Sequence, residues 1–157
     1  MSGKEHEYVS RLVWEGNTGE GTAGYERYGR GYRVEIDGKP DLAGSADPMF
    51  RGDGALHNPE DLFVAAISSC HMLSYLALCA RNGVRVLSYE DEARGTLRFD
   101  GTGGGRFVEV TLTPRVRVAR AEDVPLGEQL HELAHETCYI ASSCSVAIRH
   151  QPTVTTV

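Results

Sequence analysis

Hydrophobic and polar positions along the chain fall into two periods. Three short stretches near the N-terminus carry strand chemistry: YVSRLVW (8–14), TAGYERYG (22–29) and YRVEI (32–36). Their β-branched and aromatic residues, punctuated by Gly and Thr, predict a meander with Gly-rich turns. A loop rich in Gly, Asp and Pro follows over 37–57. At Asn58 the period changes. Asn58 suits an N-cap, Pro59 the first helical position, and Glu60 and Asp61 set negative charge at the positive end of the helix dipole. The helix is predicted to run to about Asn82, with Gly83 as its stop. Beyond it, VRVLSYEDEARGTLRF (84–99) and RFVEVTLTPRVRVA (106–119) predict β structure joined by a hairpin turn at DGTGGG, with Pro114 marking an edge or a bulge. A second helix starts near Pro125, after Asp123 as a cap, and SVAIRHQPTVTTV reads as a last strand interrupted by Pro152. The order βββ–α–ββ–α–β, without repeat or long linker, predicts an α+β fold with antiparallel sheet in one domain over 1–157.

Between positions 62 and 80 the first helix has no formally charged residue, and nineteen such residues approach membrane length. Three serines, a histidine and a tyrosine inside the run, and the written N-terminal cap, favour the buried central helix of a globular core or of a dimer. With 157 residues, 41% hydrophobic and 24% charged, the chain can build one core without disulfide staples. A formal charge of −6, with arginines scattered among acids, argues against nucleic acid as a partner. The opening MSGKEHEYVSRLVWEG has no apolar signal region, so the expectation is a cytoplasmic protein. The DGTGGG cluster lacks the Lys-Ser/Thr ending and the following helix of a phosphate cradle.

LHELAHETC (130–138) contains a match to the HExxH pattern of zinc peptidases. Such a site needs a third protein ligand. No Asp or Glu occurs after Glu136, the extended form of the motif would place its third histidine at Ala141, and His150 is the one downstream candidate. A zinc hydrolase is therefore the remote reading. On a helical wheel Leu130, Leu133, Ala134, Thr137 and Ala141 share one face, with Glu128, Glu132 and Glu136 opposite. His131 and His135 fall at the boundary beside Cys138, which is the reactive group aimed inward.

The four cysteines, Cys70, Cys79, Cys138 and Cys144, form no CxxC knuckle. In a reducing compartment they read as reduced, catalytic or simply buried. Cys70 and Cys79 on one intact helix lie about 13 Å apart in rise and nearly opposite in angle, so they cannot bond. One cysteine from each helix remains a plausible pair, and inert buried thiols remain the alternative.

The segment FRGDGALHNPEDLFVAAISSCHM, together with AHETCYIASS, resembles the family of osmotically inducible protein C and the organic hydroperoxide resistance proteins, the OsmC/Ohr family. The order of elements is similar over nearly the whole chain. The resemblance implies an OsmC-like fold, with antiparallel sheet, a long buried central helix and a second helix, in an intertwined homodimer. It implies a thiol-dependent peroxidase for organic hydroperoxides, with Cys70 as peroxidatic nucleophile, Cys138 as resolving thiol, and Arg51 and Glu60 as an activating pair. No cofactor is expected beyond an external dithiol reductant, a lipoyl protein being one candidate. Glu60 and Cys70 lie ten residues apart, roughly 15 Å along one helix, so both serve one site only if a second chain contributes. His71 is read as packing or a pocket wall, and Cys79 and Cys144 as bystanders, with Cys144 an alternative resolving thiol. A dimer that binds an apolar ligand or senses redox state without turnover is the competing function.

Overall fold

A computed structural model describes residues 3–157, which form two compact units, one ending at Leu62 and one running Phe63–Val157. The first unit holds an antiparallel sheet of β1 (Arg11–Trp14), β2 (Tyr32–Glu35) and β3 (Leu42–Gly44) in that order. The segment 22–29, expected as a strand, is a series of turns. Tyr25 and Tyr28 are three apart, so they cannot share the face of a strand, whose period is two. Instead both rings flank the Arg30 guanidinium, at 4.4 and 3.9 Å, and Arg30 donates to the carbonyls of Tyr25 and Tyr28. The strand β3 was hidden within the expected loop. Its Gly44 is needed because a Cβ there would lie 2.3 Å from the Tyr32 ring.

The long helix α1 (Pro59–Arg81) matches its sequence signals. The Asn58 side chain accepts from the Asp61 N–H at 2.8 Å and the Asp61 carboxylate accepts from the Asn58 N–H at 3.3 Å, a reciprocal capping box. At the other end Gly83 takes φ 74°, the left-handed conformation that closes a helix. Length and composition alone would let α1 cross a membrane. Its buried residues, however, form a stripe at every fourth position, Ile67, His71, Tyr75 and Cys79, which faces a protein core.

In the second unit the two β-rich runs each divide. The first gives β4 (Val86–Asp91) and β5 (Arg94–Phe99), the second β6 (Gly105–Leu112) and β7 (Pro114–Val118). The tail gives β8 (Ala147–His150) and β9 (Thr153–Thr156) on either side of Pro152. These strands build two sheets, β4-β7-β9 and β5-β6-β8. The pairs β4–β7 and β5–β6 are antiparallel, while β7–β9 and β6–β8 are parallel, so the α+β class holds with mixed rather than purely antiparallel sheets. The chain changes sheet near Asp91 and Thr113, where Asp91 accepts from the Thr113 N–H at 2.7 Å and from the Ser68 hydroxyl at 2.5 Å. Pro114 is neither on an edge nor at a bulge. It opens the central strand β7, a first position at which a missing N–H is tolerated. Asp100 closes the β5–β6 hairpin, accepting from the N–H groups of Thr102 and Gly104.

The second helix α2 (Val124–Thr137) begins as expected, but Asp123 does not cap it. Its carboxylate instead binds the Arg120 guanidinium at 2.8 and 2.9 Å. One core gathers Tyr75, Cys79, Val84, Val116, Val118, Leu130, Ala134 and Val154, and a second gathers Ile67, Val110 and Leu112. Each buried Val, Leu or Ile among them stabilises the fold by roughly 1.5–3 kcal/mol relative to exposure.

Candidate functional site

Cys138 does not continue α2. The helix ends at Thr137, Cys138 adopts extended dihedrals (φ −73°, ψ 114°), and a four-residue helix α3 (Tyr139–Ser142) follows. This break turns the thiol inward: Cys138 is 1% exposed, and its sulfur accepts from the Ala141 N–H at 3.4 Å. Its thiol also interacts with that of Cys70 on α1. The structure therefore brings together one cysteine from each helix, both of them free thiols. Burial first, and the hydrogen bond with Cys70 second, push the Cys138 thiol up to about 11. At neutral pH Cys138 keeps its proton.

Cys79 is buried against Tyr75, and burial raises its pKa. Cys144, half-buried, donates to the Ala141 carbonyl at 3.6 Å and lines an open cleft beside the β5–β6 hairpin.

Arg51 and Glu60 belong to the first unit. Arg51 sits in a loop tied at its base, where the Ser45 N–H donates to the His57 carbonyl and the Ser45 hydroxyl accepts from the Asp53 N–H. Asp47 caps the 3-10 turn Pro48–Phe50 just before it. Arg51 has φ 65°, and among the described residues it is the one non-glycine with a positive φ. A left-handed conformation costs a β-carbon-bearing residue about 1–2 kcal/mol, and such strain concentrates at functional positions. Among the described residues the guanidinium has no ion-pair partner, and Glu60 is not joined to it. Glu60 is half-buried near Tyr32, whose phenol pKa is raised by burial first and by the charges of Glu60 and Asp61 second.

Of the HELAH histidines, His135 is half-buried as the wheel suggested, but His131 occupies a different environment. His131 is fully buried, whereas Leu133, assigned to the apolar face, is 40% exposed. The buried line of α2 is Gly127, Leu130, His131 and Ala134, continued by Cys138. His131 lies at its centre because the α1 stripe meets it there. His71 Nε2 and His131 Nδ1 share a hydrogen bond at 3.0 Å, and Tyr75 stacks on the His131 ring at 3.8 Å while donating to the Gly127 carbonyl. Burial, followed by the charges of His150 and His135, lowers the His71 pKa to about 4. Burial, followed by His71 and His150, lowers that of His131 to about 3. Both rings are neutral at pH 7. His71 is thus a packing residue of the core. The sequence signal that could have revealed the pair is the four-residue spacing of Ile67, His71, Tyr75 and Cys79.

His150, the third-ligand candidate, binds Glu132 at 3.0 Å. The planes of the His71, His131 and His150 rings lie within 10–27° of parallel, and the facing nitrogens of His71 and His131 are joined to each other by their hydrogen bond. Among the described residues no group of three His, Cys, Asp or Glu side chains is arranged to hold a metal. The arrangement instead offers dithiol chemistry, a nucleophile and a second sulfur to trap its oxidised form.

An α+β fold that sets a cysteine of a long apolar helix against one that follows a second helix defines a class of thiol proteins. The model of the OsmC-like protein family matches residues 52–156, and the chain belongs to that family. A solved OsmC-like protein of unknown function from Vibrio cholerae is 31% identical, with 95% of this chain and 100% of that chain covered and a TM-score of 0.85. Organic hydroperoxide resistance proteins from Elizabethkingia anophelis (20% identical, 98% and 100% covered, TM-score 0.67) and Legionella pneumophila (18%, 98% and 100%, 0.65) share the fold. No curated protein matches the chain.

Proposed function

We propose that the protein is a thiol-dependent peroxidase that reduces organic hydroperoxides to alcohols. The observation that carries this reading is the contact between the Cys70 and Cys138 thiols across two helices. A Cys70 thiolate attacks the terminal peroxide oxygen, the O–O bond breaks, and the departing alkoxide takes a proton to leave as alcohol. Cys70 is left as a sulfenic acid. Cys138 gives up its proton as it attacks the sulfenic sulfur, the S–O bond breaks, the leaving hydroxide takes that proton as water, and the Cys70–Cys138 disulfide forms. An external dithiol, a lipoyl protein being one candidate, returns both sulfurs to thiols with two electrons.

Arg51, strained and without an ion-pair partner among the described residues, would stabilise the thiolate and polarise the peroxide, with Glu60 orienting its guanidinium. Ten residues separate Glu60 from Cys70, roughly 15 Å on α1, so the complete site needs two chains. An exposed, uncharged stripe on α1, Ala65, Ser69 and Leu73, the last 62% exposed, supports a homodimer packed on that face. Apolar surroundings favour alkyl hydroperoxides over hydrogen peroxide, and the expected setting is cytoplasmic defence against oxidative stress.

The test is consumption of cumene hydroperoxide with dithiothreitol as reductant, comparing wild type with Cys70→Ser and Cys138→Ser. Loss of turnover in Cys70→Ser is expected. Equal rates in all three proteins would sink the mechanism.

A further inference from the structure

Arg98 and Arg106 stand directly opposite one another in the β5–β6 ladder. Like charges in such a pair repel and destabilise a hairpin. Elsewhere in this unit Arg94, Arg115 and Arg149 are paired with Glu92, Glu90 and Glu109, but among the described residues Arg98 and Arg106 have no carboxylate. The nearby Asp100 carboxylate is turned into the hairpin, where Thr102 and Gly104 donate to it.

Both arginines line a cleft of about 700 Å³, a volume typical of small-molecule sites, whose apolar walls include Phe63, Phe107, Val108 and Val146. It opens where β6 runs past the start of β8: Ala147 pairs with Glu109, and positions 105–108 have no strand on that side. The Phe63 and Phe107 rings pack with centroids 4.9 Å apart and form a continuous apolar floor. Neither Cys70 nor Cys138 lines this cleft.

We propose that the cleft binds an amphiphilic carboxylate, its carboxylate bridging the Arg98 and Arg106 guanidiniums and its apolar body lying over Phe63 and Phe107. Cross-strand partners share one face of the hairpin, so the two guanidiniums can offer their planar forks to one carboxylate, and binding offsets the repulsion that the free hairpin carries. The aromatic floor selects against small inorganic anions, which cannot use it. The two arginines select against neutral lipids. The site is separate from the thiol pair and does not depend on peroxide turnover.

The experiment is calorimetric titration of dodecanoate, below its micelle concentration, into the reduced full-length protein without peroxide. Dodecan-1-ol and inorganic phosphate serve as separate probes. One dodecanoate per chain is expected, with each of the other probes weaker by about tenfold or more, the value of one charge-assisted contact or of the apolar body. Arg106→Glu should lose about tenfold or more in affinity and, without ligand, raise the Tm, because a repulsive cross-strand pair becomes attractive. Arg98→Gln should also weaken binding, and Arg117→Glu, on β7 away from the cleft, should leave it unchanged. Absence of dodecanoate binding, equal affinity for dodecan-1-ol or phosphate, or undiminished affinity in both cleft variants overturns the proposal. Because thiol chemistry is not used, such a failure would leave the peroxidase reading standing.

Discussion

His71 and His131 are buried, bonded to each other, and held at pKa values of about 4 and about 3, against an ordinary imidazole value near 6.5. Their folded-state values are depressed, so between pH 6.5 and 4 the unfolded chain binds more protons than the folded one. The stability they allow is fully present above pH 6.5 and is lost as pH falls toward the folded values. At pH 5.5 the unfolded chain carries nearly two more protons on these two side chains, a slope of about 2 kcal/mol per pH unit. Integrated from pH 7 to pH 5 the loss is about 4 kcal/mol, a large share of the ~5–15 kcal/mol available to a domain. Urea unfolding at pH 7, 6.5, 6, 5.5 and 5 measures it directly. His131→Phe keeps a ring against Tyr75 but removes one titrating group, and its slope at pH 5.5 should fall to about half the wild-type value. Comparing the two proteins cancels the contribution of every other group they share. A wild-type stability that is flat from pH 7 to 5, or an unchanged slope in His131→Phe, would refute the reasoning.

Asn58→Ala removes the capping box of α1 and should cost about 1 kcal/mol in urea unfolding, with Asn58→Ser recovering most of it. Gly44→Ala should destabilise the first sheet by about 1–3 kcal/mol, because the added Cβ would meet the Tyr32 ring. Light scattering at micromolar concentration should give the mass of a dimer, and Leu73→Glu, which puts a charge on the exposed apolar stripe of α1, should shift the mass toward that of one chain. In Cys138→Ser, one equivalent of cumene hydroperoxide should leave a Cys70 sulfenic acid that dimedone traps. Failure to label Cys70 would remove it as the peroxidatic thiol.

Local signals were the ones that sequence carried well. Asn58, Pro59 and Gly83 bounded α1 because caps act within a few residues of themselves. The assignment of strands to sheets did not follow from sequence, since the parallel pairs β6–β8 and β7–β9 join positions 38 residues apart. Nothing near Asp91 or Thr113 announces that the chain there changes sheet. The segment 22–29 misled because aromatic content suggested a strand while the three-residue spacing of Tyr25 and Tyr28 did not. On α2 the wheel separated apolar from charged residues correctly in outline, yet placed His131 at the boundary. His131 reaches the core through its Nδ1 hydrogen bond to His71, sixty residues away, while its Nε2 is buried without a partner. The Cys70–Cys138 contact was legible from the family resemblance rather than from spacing, which only excluded pairs on one helix. The break at Cys138 that turns its thiol inward had no sequence mark, because Tyr139 and Ile140 are acceptable in a helix interior.

A thiol peroxidase of this design requires Cys70 and Cys138 to form a working redox couple. Treating the reduced protein with one equivalent of cumene hydroperoxide, blocking remaining thiols with iodoacetamide and mapping peptides by mass spectrometry tests this without a reductant or a rate. The expected product is a protein lighter by two hydrogens, with a disulfide joining the Cys70 and Cys138 peptides and with Cys79 and Cys144 carrying the alkylating label. Four alkylated cysteines after peroxide treatment, or a disulfide that excludes Cys70, would contradict it.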